Sequence, residues 1–487
     1  MRNILPILTL TALLLSACQS YEPELSMSEN KVKRTQIEEI EPVQITDDVN
    51  SVEVNNILVS LFGNERKSRS EEYTISLLKD KNGIDRMICI NYAGNGGFAL
   101  ISAEKTHSPI LAYAEDGNFT MSDELPFPLS EWMECAMRSI AESETFSVDS
   151  LQMIAAKWRK YAGSVMPLDY QSAGSNMPWD EYYALTRIVM DKMAEWSSQG
   201  YRYYPIDDYN GTTSLGDKNG IATFVQSIMY PPYLEEYRNL TFVVEKDINY
   251  TTGKGHWMNT EWKQTNGYNK SFETKPEKPE EHIPVGCGPL AVGQIMYAYK
   301  YPNAFDWSGM TISGEGNKIT SDFLLDVFKN CQAWYEYYPD EPGKSGTYSY
   351  TVYLRDALQE YGYNCEYVSK VKASQLLNNP AIISSHLEGV KNDGSKTGGD
   401  HSWIVEGGLN IETHIQTEVW TFTNESEFAC IHNELGDISS TTQLFYVNWG
   451  WGDGTKAYYN LDMMIPSHRN INSNTIKSAI INIKPNK

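Results

Sequence analysis

The chain has 487 residues, 41% of them hydrophobic and 21% charged, so most of it is expected to be globular, in two or three domains at ~150 residues each. It carries 40 Lys and Arg against 63 Asp and Glu, a formal net charge of −23. This charge argues against nucleic acid as a partner, because phosphate binding needs a basic surface. It also argues against adsorption to anionic lipid.

The first segment, residues 1–17, has the features of an export signal. Arg2 precedes an apolar run from Ile4 to Ala17, which is too short for a membrane-spanning helix of ~20 residues. The run ends in Leu15-Ser16-Ala17-Cys18, a pattern typical of a bacterial lipoprotein signal. We therefore expect Cys18 to be lipidated, to anchor the chain to a membrane and to place it in a bacterial cell envelope, with release possible after processing. A plain secretory signal with a chance cysteine is the alternative. Residues 18–50 are polar and are predicted to be a tether.

The next two segments differ in their hydrophobic period. Residues 51–120 alternate with period two and contain turn signals, which predicts a small antiparallel sheet with tight hairpins, in a domain at 51–125. Residues 126–240 form an extension with helical periods, and we predict helices at 130–141, 147–162 and 180–198. From about 241 onward, short helices alternate with strands, ending in a strand pair near 444–448 and 478–483.

Cysteine usage points to one reactive thiol. No CxxC pair occurs, so a zinc site is not expected, and no metal or cofactor is predicted. The run Gly286-Cys287-Gly288-Pro289 is predicted to be a tight turn that opens a helix, because proline is tolerated in the first helical turn. A cysteine at a helix N-terminus is stabilised as a thiolate and becomes a nucleophile. From this segment alone, a nucleophile and a buried cysteine that caps a core helix are equally open.

A thiolate nucleophile needs a base, and His401 is the best placed of the eight histidines. It follows a Gly-rich loop and opens an apolar strand, although a strand-terminal histidine without a role is also open. Asn448 ends another apolar strand, where its amide could orient an imidazole, and Trp449 could cover that contact from water.

Five segments resemble, in the same order, the streptopain family of papain-fold cysteine peptidases that are made as zymogens. They cover residues from about 245 to 487 and comprise Trp262 to Asn269, Gly286-Cys287 with Gln294-Ile295-Met296, Leu354 to Leu358 with Tyr361-Gly362-Tyr363, Gly399 to Trp403, and Val447 to Gly452 with Ala457-Tyr458-Tyr459. The resemblance implies an α+β fold in which a papain-like peptidase domain at 241–487 follows a small α+β inhibitory prodomain and extra helices.

The resemblance also implies a role for each matching residue. Cys287 would be the nucleophile, and His401 the general base and then the acid for the leaving amine. Asn448 would hold the His401 ring and Trp449 would shield that contact. Gln264 would form the oxyanion hole together with the N–H of Cys287. The chain would then be a cysteine endopeptidase that hydrolyses protein or peptide substrates through an acyl-enzyme.

Residues 92–119 are similar to the inhibitory propeptide of the same family, which blocks the cleft and is cut away. The chain's own propeptide is therefore an expected partner in cis. Two departures from the family pattern stand out: Gly-Pro-Leu-Ala-Val-Gly follows Cys287, and an insertion at about 411–443 separates His401 from Asn448. They motivate an alternative, a catalytically inactive papain-fold lipoprotein that acts as a protease inhibitor or binding protein.

Overall fold

The structure is a computed structural model that describes residues 30–32, 44–62, 73–121, 127–162, 179–209, 211, 213–228, 239–340, 345–390, 396–423, 429–450, 456–462, 464 and 476–486. It contains helices and a large antiparallel sheet, so the predicted α+β class is confirmed. No helix in the described ranges is long and apolar enough to cross a membrane. The predicted signal peptide, Cys18 and most of the tether lie outside the described residues.

The helices are α1 Ser51–Phe62, α2 Phe127–Ala141, α3 Val148–Arg159, α4 Trp179–Ser198, α5 Lys218–Ile228, α6 Cys287–Tyr299, α7 Lys318–Asn330 and α8 Thr351–Glu360. The strands are β1 Asn30–Val32, β2 Tyr73–Lys79, β3 Asp85–Tyr92, β4 Phe98–Ser102, β5 Ile110–Ala114, β6 Arg202–Pro205, β7 Asn239–Lys254, β8 Thr274–Lys275, β9 Lys278–His282, β10 Trp334–Glu336, β11 Gly346–Tyr348, β12 Tyr363–Val368, β13 Ala381–Val390, β14 Lys396–Thr423, β15 Ala429–Asn448, β16 Ala457–Tyr459 and β17 Ile476–Pro485.

The N-terminal part contains the predicted antiparallel hairpins as β2 to β5. The expectation of period-two structure was wrong for residues 51–62, which form α1. Two features of that segment favour a helix. Val54, Ile57 and Leu58 are buried at helical spacing. Asn50 accepts from the N–H of Glu53 at 3.1 Å, and the Glu53 carboxylate accepts in return from the N–H of Asn50 at 3.1 Å, which forms a capping box.

One 13-stranded sheet joins the N-terminal and C-terminal parts of the chain. Its main path is β1-β2-β3-β4-β5-β16-β15-β14-β13-β17-β12. The junction is the antiparallel pairing of β5 with β16, in which Tyr113 lies opposite Tyr458 with the rings stacked 4.9 Å apart. The strands predicted near 444–448 and 478–483 exist as β15 and β17, but they do not pair with each other, because β14 and β13 lie between them.

The insertion predicted at 411–443 forms the far ends of β14 and β15, which together make a long hairpin. Strand β7 pairs with β14 along its whole length, and β6 pairs with β7. Helices α4 and α5 supply buried side chains such as Trp196 and Ile221 to two small cores with this sheet. We call the described residues of 179–254 and 409–443 the hairpin module. It contains about half of the predicted extension at 126–240 and also residues from the predicted peptidase domain, and the division into domains stays a prediction.

A cluster of buried charges ties the hairpin module to α3. The Glu245 side chain is 1% exposed and accepts from Arg159 at the end of α3 at 2.5 Å and from the Tyr209 hydroxyl at 3.0 Å. Arg202 lies 3.7 Å from the same carboxylate and forms two bonds of 3.0 Å with Asp247. Because a buried charge is costly unless it is paired, this network fixes how the module lies against α3.

Candidate active site

The predicted nucleophile opens a buried central helix. Cys287 is the first residue of α6, as predicted, and the residues from Gly288 to Tyr297 are all buried. Gly286 precedes the helix with φ 89°, a conformation that favours glycine. A Cβ at Gly286 would also come within 2.5 Å of the Thr347 side chain. The turn therefore requires glycine, and it holds the half-buried Cys287 thiol at the positive end of the helix dipole.

The surroundings of Cys287 favour the thiolate. Burial acts to raise the pKa of the Cys287 thiol, but the charge of His401 and a hydrogen bond with its ring, together with the N–H groups of Ser402 and Gly288, outweigh burial and hold the pKa below its usual range. The Ser402 N–H donates to the sulfur at 3.3 Å. Cys365, the other half-buried described cysteine, differs in this respect, because burial raises the pKa of its thiol to about 11.

The sheet holds His401, the predicted base, beside the Cys287 thiol. His401 is 8% exposed and lies within β14, opposite Ser385 of β13. Its Nε2 lies 3.1 Å from the backbone oxygen of Trp449. Since a carbonyl oxygen only accepts, Nε2 carries the proton in this bond. Nδ1 is then the ring nitrogen that is left to exchange a proton with the Cys287 thiol.

Asn448 is buried at the end of β15, but it does not hold the His401 ring as the resemblance implied. Its Nδ2 donates to Oε1 of Gln294 at 2.5 Å, and its Oδ1 accepts from the N–H of Gly450 at 3.0 Å. The reason is local: the buried Gln294 amide on α6 offers an acceptor, and the chain turns at Gly450 with φ 81°. The carbonyl of Trp449 takes the position next to the imidazole that was predicted for the Asn448 amide.

Two predicted residues remain, Trp449 and Gln264, and only Gln264 contacts the segment that leads into α6. The Trp449 side chain is completely buried in the core, with its ring 4.9 Å from Trp403 and 5.4 Å from Tyr459, and its shielding role stays a prediction. Gln264 is half-buried, and its backbone oxygen accepts from the N–H of Val285 at 2.9 Å, two residues before Cys287. Its role in an oxyanion hole stays a prediction.

Cys287 and His401 face a cavity of about 610 Å³. One wall is aromatic and includes Trp334, Tyr348 and Tyr350. The rim also carries an ion pair between Asp400 and Lys477, with 2.7 Å between the charged atoms. The volume and the mixed lining are typical of a site that binds an extended organic ligand or a peptide segment.

The N-terminal part of the chain packs behind this site. Within the described ranges, the residues that line the cavity all lie between 287 and 478, so the expected occlusion of the cleft by the 51–125 region is not seen. That region instead shares a hydrophobic core with Trp403 and Trp449. Trp132 of α2 belongs to the same core and donates to the backbone oxygen of Asn460, just after β16, at 3.0 Å. The contact therefore supports the site from the rear.

Sequence reasoning missed two contributors to the site. Gln294 was noticed only as part of the nucleophile helix, although its position seven residues after Cys287 places both on one face of that helix. The Ser402 backbone N–H, which contacts the sulfur, has no signal in the sequence beyond its place next to His401.

Groups of three or more metal-ligating side chains are absent from the described residues.

Parts of the chain are similar to known proteins. Residues 57–140 match the family model of the Spi protease inhibitor. The match begins within α1 and ends within α2, so it reaches beyond residue 125. No curated protein matches the chain significantly. Among solved structures, the chain is similar to a fragment of prointerpain A from Prevotella intermedia that carries a cysteine-to-alanine substitution. The identity is 14%, the match covers 84% of this chain and 98% of that chain, and the TM-score is 0.41.

Proposed function

We propose that the chain is a cysteine endopeptidase made as a zymogen, with Cys287 as nucleophile and His401 as base and acid. The observation that carries this proposal is the lowered pKa of a thiol that opens a buried helix, faces a cavity and is hydrogen-bonded to a histidine ring. Structural cysteines show the opposite shift, since burial alone raises the thiol pKa.

The chemistry follows from the positions of these groups. The Cys287 thiolate attacks the carbonyl carbon of a peptide bond, and the charge that develops on the oxygen is met by the N–H of Cys287 and by the Gln264 amide. The imidazolium of His401 gives its proton to the leaving amine, which departs and leaves a thioester. A water molecule, deprotonated by His401, then attacks the thioester, releases the acid product and restores the thiolate.

The family match at 57–140 supports a prodomain that acts in cis. Because this region packs behind the site and does not line the cavity, we propose that it acts through the core shared with Trp403 and Trp449 and not by filling the cleft. We further propose that Cys18 carries a lipid and that the protein is exported to the cell envelope. Mass spectrometry of the N-terminal peptide from cells expressing the wild type and Cys18→Ala tests this, because only the wild type should carry the added mass of a lipid.

The same family match favours a second candidate, an inactive papain-fold protein that inhibits or binds a protease. The side chain of Asn448 points to Gln294 instead of His401, which is the arrangement expected of a site that has lost its orienting contact. A thiol-directed peptide probe separates the two candidates. A peptidase should be labelled at Cys287, and an inactive homologue should not.

The experiment combines labelling with intact mass in the presence of a reductant, on wild type, Cys287→Ala and Cys365→Ala. Wild type and Cys365→Ala should be labelled once, at Cys287, and should shorten with time, while Cys287→Ala does neither. Cys365 is the matched control because it is the other half-buried described thiol and its pKa is raised. Hydrolysis or labelling that persists in Cys287→Ala would show that the assignment is wrong.

A further inference from the structure

A connected chain of four hydroxyl groups lines the cavity beside Cys287. Ser402, Ser384 and Ser478 lie opposite one another in the adjacent strands β14, β13 and β17, and Thr351 opens α8 beside them. The Thr351 hydroxyl donates to Ser384 at 2.8 Å, the Ser478 hydroxyl donates to Thr351 at 3.2 Å, and the Ser384 and Ser402 oxygens are 3.2 Å apart. All four residues line the cavity.

The four hydroxyl groups have more hydrogen-bonding capacity than the three bonds among them use. Each hydroxyl has one proton to donate and two lone pairs to accept with, and the three bonds use three of the four protons. Within the described residues the fourth proton has no acceptor, and it belongs to Ser384 or Ser402, because Thr351 and Ser478 have already donated theirs. Ser402 is also the residue whose N–H contacts the Cys287 sulfur. The free donor and several free lone pairs therefore lie next to the reacting atom.

A hydroxyl-lined floor of this kind discriminates between substrate side chains. An apolar side chain would remove water from the free O–H and leave it unpaired, which costs binding energy, whereas a side chain that both accepts and donates would satisfy it. Ser402 and Ser478 are 9% and 4% exposed, so water cannot easily serve these groups once a ligand is bound. At the rim, Asp400 and Lys477 pair with each other, and the carboxylate of Glu336 lies on the aromatic wall, so the four hydroxyl groups themselves carry no charge that would attract a charged side chain.

We propose that this subsite selects an uncharged, hydrogen-bonding side chain in the substrate, and a carboxamide (Asn or Gln) above an apolar residue of the same size. A carboxamide fits because its oxygen accepts from the free O–H while its N–H₂ group donates to the free lone pairs. The inference rests on the proposed peptidase function and specifies which peptides that site cleaves.

The first test uses fluorogenic peptides that carry Asn, Gln, Leu, Glu or Lys at one varied position. The position is moved in turn through three residues before and two residues after the cleaved bond. Because Asn and Leu are close in size, their ratio of kcat/KM isolates the hydrogen bonds. At one position Asn or Gln should exceed Leu about tenfold or more, since one satisfied hydrogen bond is worth about that factor. Leu equal to or better than both amides at every position would overturn the proposal.

Substitutions of cavity residues test whether the hydroxyl groups cause the preference for Asn or Gln over Leu. Ser384→Ala removes the middle of the chain and should lower the amide-to-Leu ratio about tenfold, and Ser384→Thr should restore it, because it keeps the hydroxyl. Ser349→Ala is the matched control: Ser349 also lines the cavity, but its hydroxyl donates to the backbone oxygen of Cys331 at 2.6 Å, so the ratio should not change. An unchanged ratio in Ser384→Ala would also overturn the proposal.

A binding measurement distinguishes failure of this inference from failure of the proposed peptidase function. If no peptide is cleaved and Cys287 is not labelled, the peptidase assignment fails. The affinities of the Asn and Leu peptides for full-length Cys287→Ala, measured by calorimetry, then decide the subsite question without catalysis. Tighter binding of the Asn peptide supports a polar subsite, and equal or weaker binding overturns it.

Discussion

Gln294 offers a sharp test of the hydrogen bonds behind the site. Its buried Oε1 accepts from Asn448 at 2.5 Å and from the Thr260 hydroxyl at 3.1 Å, and both donors are buried too. Its own Nε2 is buried without a partner in the described part of the chain. Replacing Gln294 by Leu keeps the size of the side chain, removes the shared acceptor and also removes the unpaired N–H₂ group.

The expected magnitude follows from these contacts. Leaving a buried donor unpaired lowers the free energy of unfolding by about 1–3 kcal/mol, so the loss of both hydrogen bonds lowers it by roughly 2–6 kcal/mol. Removal of the unpaired Nε2 group raises it by about 1–3 kcal/mol. We expect Gln294→Leu to be destabilised by about 1–3 kcal/mol. The assay is urea unfolding of the Cys287→Ala background, which prevents self-cleavage, with the midpoint compared at an unchanged slope.

The matched control is Gln359→Leu, because Gln359 lies at an exposed position of α8 and makes one long bond of 3.4 Å to the backbone oxygen of Cys365. It should stay within about 0.5 kcal/mol of the parent, as surface substitutions usually do. If Gln294→Leu also stays within that range, the shared acceptor does not anchor Asn448, and the reasoning about the rear of the site is refuted.

Three further results are expected. In His401→Ala, the midpoint pH for iodoacetamide alkylation of Cys287 should rise, because burial then raises the thiol pKa without the opposing charge of the imidazole. An unchanged midpoint would show that His401 does not lower the pKa of the Cys287 thiol. Glu245→Ala removes the carboxylate partner of the half-buried Arg159, while Arg202 keeps Asp247, and it should cost about 1–3 kcal/mol in urea unfolding. Glu281→Ala at the surface should cause no measurable loss, and equal midpoints for the two variants would show that the Glu245 network is not stabilising. Gly286→Ala should lower the rate of Cys287 labelling, since a side chain is strained at φ 89°, and a wild-type rate would mean that the turn adapts.

Local features of the fold were predictable from the sequence because short-range rules determine them. The helices predicted at 130–141, 147–162 and 180–198 correspond to α2, α3 and α4 with small shifts at their ends. The start of α6 at Cys287 followed from glycine and proline chemistry alone. Helix α1 was missed because its capping box and apolar spacing occupy only twelve residues in front of a run of strands.

Long-range pairing was not predictable in the same way. Strand β7 has an apolar first half and a polar second half, and no local signal says that it pairs with β14 more than 150 residues later in the sequence. The insertion at 411–443 and the extension before residue 240 therefore looked like separate additions. Only the register of β7 against β14 shows that they form one module.

The same difference between local and long-range information applies to the candidate site. Cys287 and His401 were proposed from motifs, but the partner of Asn448 depends on where α6 passes behind β15, which no sequence spacing predicts. The arrangement of the four hydroxyl groups depends even more on long-range strand pairing. Ser384, Ser402 and Ser478 are far apart in sequence, and they meet because β13 lies between β14 and β17 in one particular register.

A slip of one residue in either strand pairing would move a serine to the other face of the sheet and break the chain. The neighbours of the serines prevent such a slip, because Ile383, Trp403 and Ala479 are all buried in one core and are paired with one another across the same three strands. The apolar residues that stabilise the sheet thus also determine which polar groups face the cavity. A substitution in that core that shifts the register would separate the four hydroxyl groups even where Cys287 and His401 are unchanged.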